Sequence, residues 1–506
     1  MRKFTTLVAV FAVACAAYAA PPATETAHIQ KIAGTVLEIP MGKQPPLRLS
    51  LAQVMKAYNV PGLSVAVIDN YQIVWAKGFG TIGPGSSEPV KTSTLFQAGS
   101  ISKPVAAAGA LVLVEAGKLS LDEDVNRKLK TWKIPENEFT KTEKVTLRRL
   151  MSHTGGLTVH GFPGYDVDAP MPTLVQIFNG EKPANTAPIR VDTVPGTLDR
   201  YSGGGVTIEQ QLMMDVTGKP FPALLRETVL DKIGMNDSSY EQPLPPARAA
   251  HTAIGTYQNG KPVHGKWHLY PEMAAAGLWT TATDLANFAI EIAQSRNGKS
   301  NKILSQKMVE EMLTPVRQGA GLGFFTDKGN PGFFGHNGAD EGFQALLTMN
   351  WQTGQGAALM ANSDHGIAVA DLMLRSIAKE YGWNFKFERE PPTLRLVAMV
   401  RGVQVALDRV AELKKTGALT DQDAENELNR MGYLLLFGGH EQDGIKVFQK
   451  NVQDHPESWN VYDSLGEPYM TTGQKALAIQ NYEKSLQLNP DNNHGKQMLE
   501  KARSMK

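Results

Sequence analysis

Two pairs of short apolar runs, far apart in the chain, indicate β-strands. Residues 63–68 and 72–77 are rich in β-branched and aromatic side chains and flank a short turn, which is typical of a hairpin. Residues 343–349 and 357–361 flank a glycine-containing turn in the same way. We therefore predict an antiparallel sheet made from the two ends of one domain, flanked by helices and interrupted by an all-helical subdomain.

The region between the two hairpins carries helix signals. Residues 104–116 are apolar on every side, which suits a helix buried inside a large domain. Further along, charged residues and paired prolines within 386–392 interrupt both helix and strand patterns. We predict a linker there, between an α+β domain and a C-terminal tail at 393–506.

The tail contains a repeat of 34 residues, which is the period of a tetratricopeptide helical hairpin. Three pairs of residues share this separation: Gly432 and Gly466, Phe448 and Tyr482, and Pro456 and Pro490. We predict two such hairpins, at about 425–458 and 459–492. Two copies are too few for a free-standing solenoid. The tail is therefore expected to pack on the first domain as a helical cap, or to bind a protein partner.

Composition is that of a folded protein with more than one domain. The chain has 506 residues, of which 42% are apolar and 20% charged, and a chain of this length exceeds the usual size of a single core. The formal net charge is +1, so there is no electrostatic footprint for nucleic acid, and we expect none as a partner.

The first residues predict export. Met1-Arg2-Lys3 precede an apolar stretch at 4–14 and small residues that end in Ala17-Tyr18-Ala19, a pattern typical of a secretory signal at 1–19. The stretch is too short to span a bilayer, so no transmembrane segment is predicted. We expect a periplasmic or secreted protein. The alternative is a lipid anchor on Cys15, the single cysteine of the chain.

The sequence Ser100-Ile101-Ser102-Lys103 opens the predicted buried helix. A spacing of three places Ser100 and Lys103 on one face of that helix. A serine hydroxyl needs a neighbouring base to become a good nucleophile, and Lys103 can act as that base only in its neutral form, which an apolar setting favours. The Ser100 backbone N–H at the helix start can also donate to an oxyanion.

The context of Ser100 resembles that of penicillin-recognising enzymes. A second Ser-x-x-Lys, at 376–379, lacks this context, whereas Ser100 is followed by a tyrosine element and a triplet before a strand, in the family order. Segments 96–100, 115–119, 150–157 and 277–285 are similar to the family's characteristic segments. The resemblance covers about 45–385 and is to class C β-lactamases and related esterases and D-peptidases. It implies the β-lactamase/transpeptidase-like fold.

The second family element is Tyr201, in Tyr201-Ser202-Gly203. By resemblance, its phenol exchanges a proton with Ser100 and then with the leaving group. Gly203 stands where many members carry an asparagine that donates to the lysine and to the substrate amide. Tyr257-Gln258-Asn259 fits the family letters better, but Asn259-Gly260 marks a tight turn, so we assign the role to Tyr201.

The third element is His336-Asn337-Gly338, which takes the place of the family's Lys-Thr-Gly before the strand at 343. By resemblance, these three residues bind substrate, and the N–H of Ala339 completes the oxyanion hole with that of Ser100. Histidine is mostly neutral at pH 7, so a substrate carboxylate would be held less firmly. If His336 holds an anionic group, affinity is expected to rise as the pH falls through about 6.5.

Other candidate chemistry is weaker. His153-Thr154-Gly155-Gly156 is interpreted as a structural turn, not as part of a Ser-His-Asp triad. The eleven histidines include no His-Glu-x-x-His, so no metal is predicted, and no organic cofactor either.

The sequence therefore predicts a serine hydrolase acting through an acyl-enzyme on a small ester or a peptide with D-residues. The departures at Gly203 and His336 favour this over a β-lactamase or D,D-carboxypeptidase, which stays open as an alternative. A protein that has lost turnover and works through its repeat tail is the other alternative. Retention of Ser100, Lys103 and Tyr201 together argues against it.

Overall fold

The computed structural model describes residues 23–42, 44–387 and 393–505. The predicted signal segment with Cys15, and residues 388–392 of the predicted linker, lie outside the described residues. Within the described part of the chain, no helix combines the length and apolar character needed to cross a membrane.

The central element is a six-stranded antiparallel sheet. Its strands, with those of two small two-stranded sheets, are β1 (Leu37–Met41), β2 (Gln44–Leu49), β3 (Gly62–Asp69), β4 (Gln72–Gly80), β5 (Phe96–Gln97), β6 (Trp279–Thr280), β7 (Phe325–Thr326), β8 (Phe333–Asp340), β9 (Phe343–Asn350) and β10 (Gly356–Ala361). The order in the large sheet is β4-β3-β10-β9-β8-β7, and β1 pairs with β2 and β5 with β6.

Helices cover both faces of this sheet and form the tail. They are α1 (Ala23–Gly34), α2 (Leu51–Ala57), α3 (Ser102–Glu115), α4 (Leu147–Met151), α5 (Leu174–Asn179), α6 (Gly203–Thr217), α7 (Phe221–Leu225), α8 (Pro246–Ala249), α9 (Met273–Ala276), α10 (Ala282–Arg296), α11 (Gln306–Leu313), α12 (Gly366–Glu380), α13 (Thr393–Arg401), α14 (Val403–Lys415), α15 (Asp421–Phe437), α16 (Glu441–Asp454), α17 (Trp459–Thr471), α18 (Lys475–Leu488) and α19 (Asn493–Ser504). Short 3₁₀ turns lie at Gly99–Ile101, Val125–Arg127, Glu138–Thr140, Asp231–Ile233 and His264–Lys266, and a π-helical turn at Arg226–Leu230.

The predicted α+β fold is confirmed, including its two hairpins. Strands β3 and β4 and strands β9 and β10 form the expected pairs, and β10 pairs with β3, which joins the two ends of the domain. The turn after β3 places Asn70 and Tyr71 at positive φ, as a tight hairpin turn requires. The Tyr71 N–H donates to the Gly354 carbonyl in the other hairpin's turn at 3.0 Å. The predicted buried helix is α3.

The central strands are buried on both faces because alternate residues point into different cores. Ala66 and Ile68 of β3 join a core that contains α3, α6 and α10. Leu63, Val65 and Val67 join a second core on the opposite face, which contains α1, α2 and α12. The sheet therefore separates the helical subdomain from a second helical layer.

The start of the tail is part of that second core. Leu394 of α13, Ala406 of α14 and Leu428 of α15 share it with residues of the sheet and of α2. Apolar burial is the main stabilising contribution in such an arrangement. The expected packing of the tail on the first domain is therefore present for α13–α15.

The rest of the tail consists of antiparallel helix pairs. Helix α15 packs on α16 and α17 on α18, with α19 against α18. A methyl group at Gly432 would lie 2.6 Å from the Phe448 ring, and one at Gly466 would lie 2.7 Å from the Tyr482 ring. The same glycine-on-aromatic contact thus recurs at both positions of the 34-residue repeat. The tetratricopeptide-like assignment of these hairpins stays a prediction.

Candidate active site

Ser100 lies on the 3₁₀ turn Gly99–Ile101, which leads directly into α3. The turn is held by its neighbours: the Ala98 N–H donates to the Leu278 carbonyl at 2.9 Å, and the Ser102 hydroxyl donates to the Gly99 carbonyl at 2.6 Å. Ser100 itself is half-buried. The fold thus presents one serine hydroxyl at the start of a helix that is buried over most of its length.

Lys103 contacts Ser100 as the spacing predicts. Its Nζ donates to Ser100 Oγ at 2.8 Å and to the Ala275 carbonyl, on α9, at 2.7 Å. The side chain is only 3% exposed. This single short hydrogen bond is the geometry that general-base activation of a serine needs.

Gln210 fixes the turn that carries the Ala275 carbonyl. From α6, its Nε2 donates to the Pro271 carbonyl at 3.0 Å, and its Oε1 accepts from the Ala274 N–H at 2.9 Å. Both ends of this buried amide are satisfied, so its orientation is set by the fold. Sequence analysis missed this residue, because hydrogen bonds between a side chain of α6 and the backbone of Pro271 and Ala274 have no motif.

Tyr201 lies immediately before α6, whose N-cap is Ser202. The Lys103 Nζ is 5.1 Å from the centroid of the Tyr201 ring. In the part of the chain that the structure describes, no hydrogen bond joins the Tyr201 hydroxyl to Ser100 or Lys103. The structure therefore brings the three predicted residues together, with the phenol beside the serine–lysine pair.

Aromatic rings surround Tyr201. The ring centroids of His153, His160, His336 and Phe325 lie 4.2, 4.8, 6.1 and 6.2 Å from that of Tyr201. Phe325 is 39% exposed and forms an apolar wall beside the tyrosine. Neither His160 nor Phe325 was singled out from the sequence, since neither belongs to a recognisable motif.

The edge of β8 approaches the nucleophile turn very closely. A methyl group at Gly338 would lie 1.8 Å from the Ala98 carbonyl oxygen and 3.3 Å from the Ser100 nitrogen, and one at Gly99 would lie 2.4 Å from the Ala339 nitrogen. Only glycine fits at these two positions. The backbones of Ser100 and Ala339 are thereby adjacent, as the predicted oxyanion hole requires.

His336 differs from the sequence-based expectation. Burial and the nearby Lys103 charge lower the pKa of its imidazole to about 3, its Nδ1–H donates to the Asn337 carbonyl at 2.6 Å, and its Nε2 has no partner. Burial therefore favours the neutral ring over the titration expected near pH 6.5, and the expected pH dependence of substrate affinity stays a prediction. Asn337, in contrast, has an exposed side chain.

His153 is part of a structural turn, as interpreted from the sequence. It follows α4 with a positive φ of 58°, and its Nδ1 accepts a hydrogen bond from the Ser202 N–H at 3.3 Å. Burial lowers the pKa of this imidazole well below its ordinary value. A neutral His153 packed on Tyr201 holds the tyrosine and the N-cap of α6 in place.

Three buried carboxyl groups lie around the site. Burial raises the pKa of Glu209 and of Glu272 to about 8, and that of Asp340 well above its ordinary value. Oxygen atoms of all three lack hydrogen-bond partners, and Lys103 acts electrostatically on Glu209 and Asp340. Protonated acids contribute no negative charge at neutral pH. Among the described residues, no group of three or more His, Cys, Asp or Glu side chains could hold a metal ion.

Glu209→Gln is expected to stabilise the protein at alkaline pH. Because the folded-state pKa of about 8 lies above the ordinary value, the unfolded chain releases this proton near pH 4.5 while the folded chain retains it, so rising pH from 5 to 8 favours unfolding. Glutamine has no proton to release. The melting temperature of the variant should match wild type at pH 5 and exceed it by a few degrees at pH 8.

A matched control is Glu291→Gln. Glu291 is also buried, but its carboxylate accepts hydrogen bonds from the Ser300 hydroxyl and the Lys302 N–H. Its replacement should lower the melting temperature at both pH values, since charge-assisted bonds are lost. A Glu209→Gln variant less stable than wild type at pH 8 would contradict the assignment of a protonated, unpartnered carboxyl.

The structure joins a serine and a lysine at a helix start, beside a tyrosine and the edge of an antiparallel sheet. This is the arrangement that the sequence resemblance to penicillin-recognising enzymes predicts. The Beta-lactamase family model matches residues 47–381. The chain therefore belongs to the Beta-lactamase family, and the resemblance inferred from its sequence over 45–385 is confirmed.

Individual relatives are distant. A β-lactamase from Pseudomonas fluorescens is 27% identical over 235 residues, which are 46% of this chain and 60% of that protein. Penicillin-binding protein 4 from Amycolatopsis lactamdurans is 25% identical over 332 residues, covering 62% of this chain and 83% of that protein. The chain thus spans about 60% of the length of the Pseudomonas relative.

Two solved structures share the fold. The octameric penicillin-binding protein homologue from Pyrococcus abyssi aligns with a TM-score of 0.56 and 23% identity, over 68% of this chain and 78% of that one. The D-alanine carboxypeptidase AmpC from Burkholderia cenocepacia aligns with a TM-score of 0.51 and 21% identity, over 65% of this chain and 96% of that one.

Proposed function

We propose that the protein is a serine hydrolase that forms an acyl-enzyme on Ser100 and acts on a small carboxylic ester or a short peptide with D-residues. The observation that carries this proposal is the 2.8 Å hydrogen bond between Lys103 Nζ and Ser100 Oγ, with Nζ also held by the Ala275 carbonyl. A buried lysine tied to a half-buried serine has a use in nucleophilic catalysis and none in packing alone.

The proposed reaction has two steps. Ser100 Oγ attacks the substrate carbonyl while its proton passes to Lys103, and Tyr201 gives a proton to the departing group and regains one from Lys103. The N–H groups of Ser100 and Ala339 donate to the tetrahedral oxyanion. Water then attacks the acyl-enzyme while Lys103 takes its proton, and this proton passes to Ser100 Oγ as the bond to the carboxylic acid breaks.

The surroundings of the site support a neutral substrate. His336 is uncharged, Gly203 supplies no amide side chain, and Phe325 presents an apolar ring. A β-lactam carries a carboxylate that needs a donor with positive charge, and the triplet provides none. β-Lactamase or D,D-carboxypeptidase activity on a substrate with a free carboxylate, which the names of the relatives suggest, is therefore the second candidate.

The experiment is an intact-mass measurement on wild type and Ser100→Ala after brief exposure to p-nitrophenyl butyrate and, separately, to benzylpenicillin. A butyryl adduct or ester turnover on wild type alone supports the proposal. A penicilloyl adduct, or penicillin turnover without ester turnover, supports the second candidate. If folded wild type forms no adduct and turns over neither reagent, the hydrolase proposal is overturned in favour of a binding protein.

Two further proposals concern the whole chain. We propose that the segment 1–19 directs export to the periplasm or outside the cell, and that the helix pairs at α16–α19 contact a protein partner. In support of the latter, these helices pack mainly on one another in a third small core, whereas α13–α15 share the second core with α2 and the sheet.

A further inference from the structure

A strained turn adjoins the start of α6. Val159 has a φ of +63°, in the left-handed region that a β-branched residue rarely adopts. Such conformations persist where surrounding contacts enforce them, and they concentrate at functional sites. The residue that this turn projects next is His160.

Hydrogen bonds hold the turn on both sides. On one side, the Thr158 N–H donates to the Arg190 carbonyl at 2.9 Å, and the Arg190 N–H donates to the Thr158 hydroxyl oxygen at 2.8 Å. On the other side, the Gly203 N–H donates to the His160 carbonyl at 3.0 Å, and the Gly204 N–H donates to the Val159 carbonyl at 3.1 Å. These carbonyls satisfy first-turn N–H groups of α6, which otherwise lack partners.

The approach of the turn to α6 depends on glycine. A methyl group at Gly203 would lie 3.1 Å from both the His160 carbonyl oxygen and the Phe162 ring, and one at Gly204 would lie 2.9 Å from the Thr158 carbonyl oxygen. The turn therefore occupies the space into which a side chain at 203 would extend. Position 203 thus lacks the asparagine that many family members carry, and the turn places His160 beside Tyr201.

Among the three histidines around Tyr201, His160 alone is exposed. His153 and His336 are each 6% exposed, and one is hydrogen-bonded to Ser202 and the other to Asn337. The His160 side chain is exposed, and its ring centroid lies 4.8 Å from that of Tyr201 at an interplanar angle of 45°. Of the three histidines, His160 is therefore the one whose side chain is accessible to a substrate beside Tyr201.

We propose that His160 is a specificity-determining residue that hydrogen-bonds a polar group next to the scissile carbonyl on the acyl side of the substrate. This inference rests on the proposed hydrolase function and deepens it, since it assigns the substrate an acyl group with an amide or similar polar group near the ester. The two ring nitrogens of an imidazole can donate or accept a hydrogen bond, so the N–H or the carbonyl of an amide is a suitable partner.

The test compares two p-nitrophenyl esters of nearly equal size, the N-acetylglycyl ester and the pentanoyl ester, on wild type, His160→Ala and His160→Asn. Wild type should prefer the amide-bearing ester. His160→Ala should lose about 10- to 100-fold in kcat/KM for that ester alone, the usual effect of an unpaired polar contact, with pentanoate unchanged within about threefold. His160→Asn should recover much of the preference. His440→Ala, at an exposed histidine of the tail, is the matched control.

The outcomes separate this inference from the function on which it rests. If wild type hydrolyses neither ester and Ser100 is not acylated, the hydrolase proposal fails. If wild type hydrolyses both esters but His160→Ala keeps the wild-type ratio of kcat/KM between them, the specificity role of His160 is overturned. The hydrolase proposal then stands. A loss of equal size on both esters also overturns the specificity role, because that pattern indicates a role in structure or chemistry without selectivity.

Discussion

Lys103→Met is expected to lower the rate of Ser100 acylation by about a thousandfold, which is the usual contribution of a positioned base. The variant removes the group that donates to Ser100 Oγ at 2.8 Å and keeps most of the apolar volume. Acylation is measured by intact mass over time with p-nitrophenyl butyrate, and folding by thermal melting.

The fold should tolerate this change. Loss of one partner of a buried ion pair normally leaves a costly unpaired charge, but the neighbouring Glu209 retains its proton because burial raises its pKa to about 8. The control is Lys379→Met in the second Ser-x-x-Lys, whose Ser376 hydroxyl donates to the Ile32 carbonyl far from the site. Acylation of Lys103→Met at a rate close to wild type would remove Lys103 as the base.

Tyr201→Phe is expected to reduce turnover by about 10²- to 10⁴-fold while leaving the melting temperature nearly unchanged. The ring contacts with His153 and His160 survive the substitution, and only the phenol oxygen is lost. Steady-state hydrolysis of p-nitrophenyl butyrate, with kcat and KM separated, measures the effect, which should fall mainly on kcat.

The chain provides its own control in Tyr257, the tyrosine of the other Tyr-x-Asn pattern. It lies in a turn, where its N–H donates to the Lys261 carbonyl. Tyr257→Phe should behave as wild type. An unaltered kcat in Tyr201→Phe would show that another group protonates the leaving group.

Local spacing was sufficient to predict the contact between Ser100 and Lys103. Ser100 and Lys103 are three residues apart at a helix start, so their contact follows from helix geometry. The two hairpins were predictable for a similar reason, since alternation and turn residues are local signals. A single antiparallel sheet made from the two ends of the domain was also predicted and is confirmed. Its joining pair, β3 and β10, lies nearly 300 residues apart in the chain.

What sequence reasoning missed depends on distant contacts. The interaction of Lys103 with the Ala275 carbonyl involves backbone, so no residue type indicates it in the sequence. Gln210 holds the adjacent backbone, at Pro271 and Ala274, from another helix. His336 was treated as a titrating group because its burial is a property of the assembled site. The run Gly203-Gly204-Gly205 was the available signal for His160, since consecutive glycines at a helix start indicate a close backbone approach.

The two faces of the sheet also separate access from attachment. Helices α13–α15 belong to the core on the face of the sheet opposite α3. The tail is therefore attached on the side of the sheet away from Ser100. A molecule immobilised through its C-terminal helices would keep its nucleophile facing the surrounding solution, and substrate would reach it by free diffusion. In this architecture the tail can be attached to a surface while Ser100, on the other side of the sheet, stays accessible.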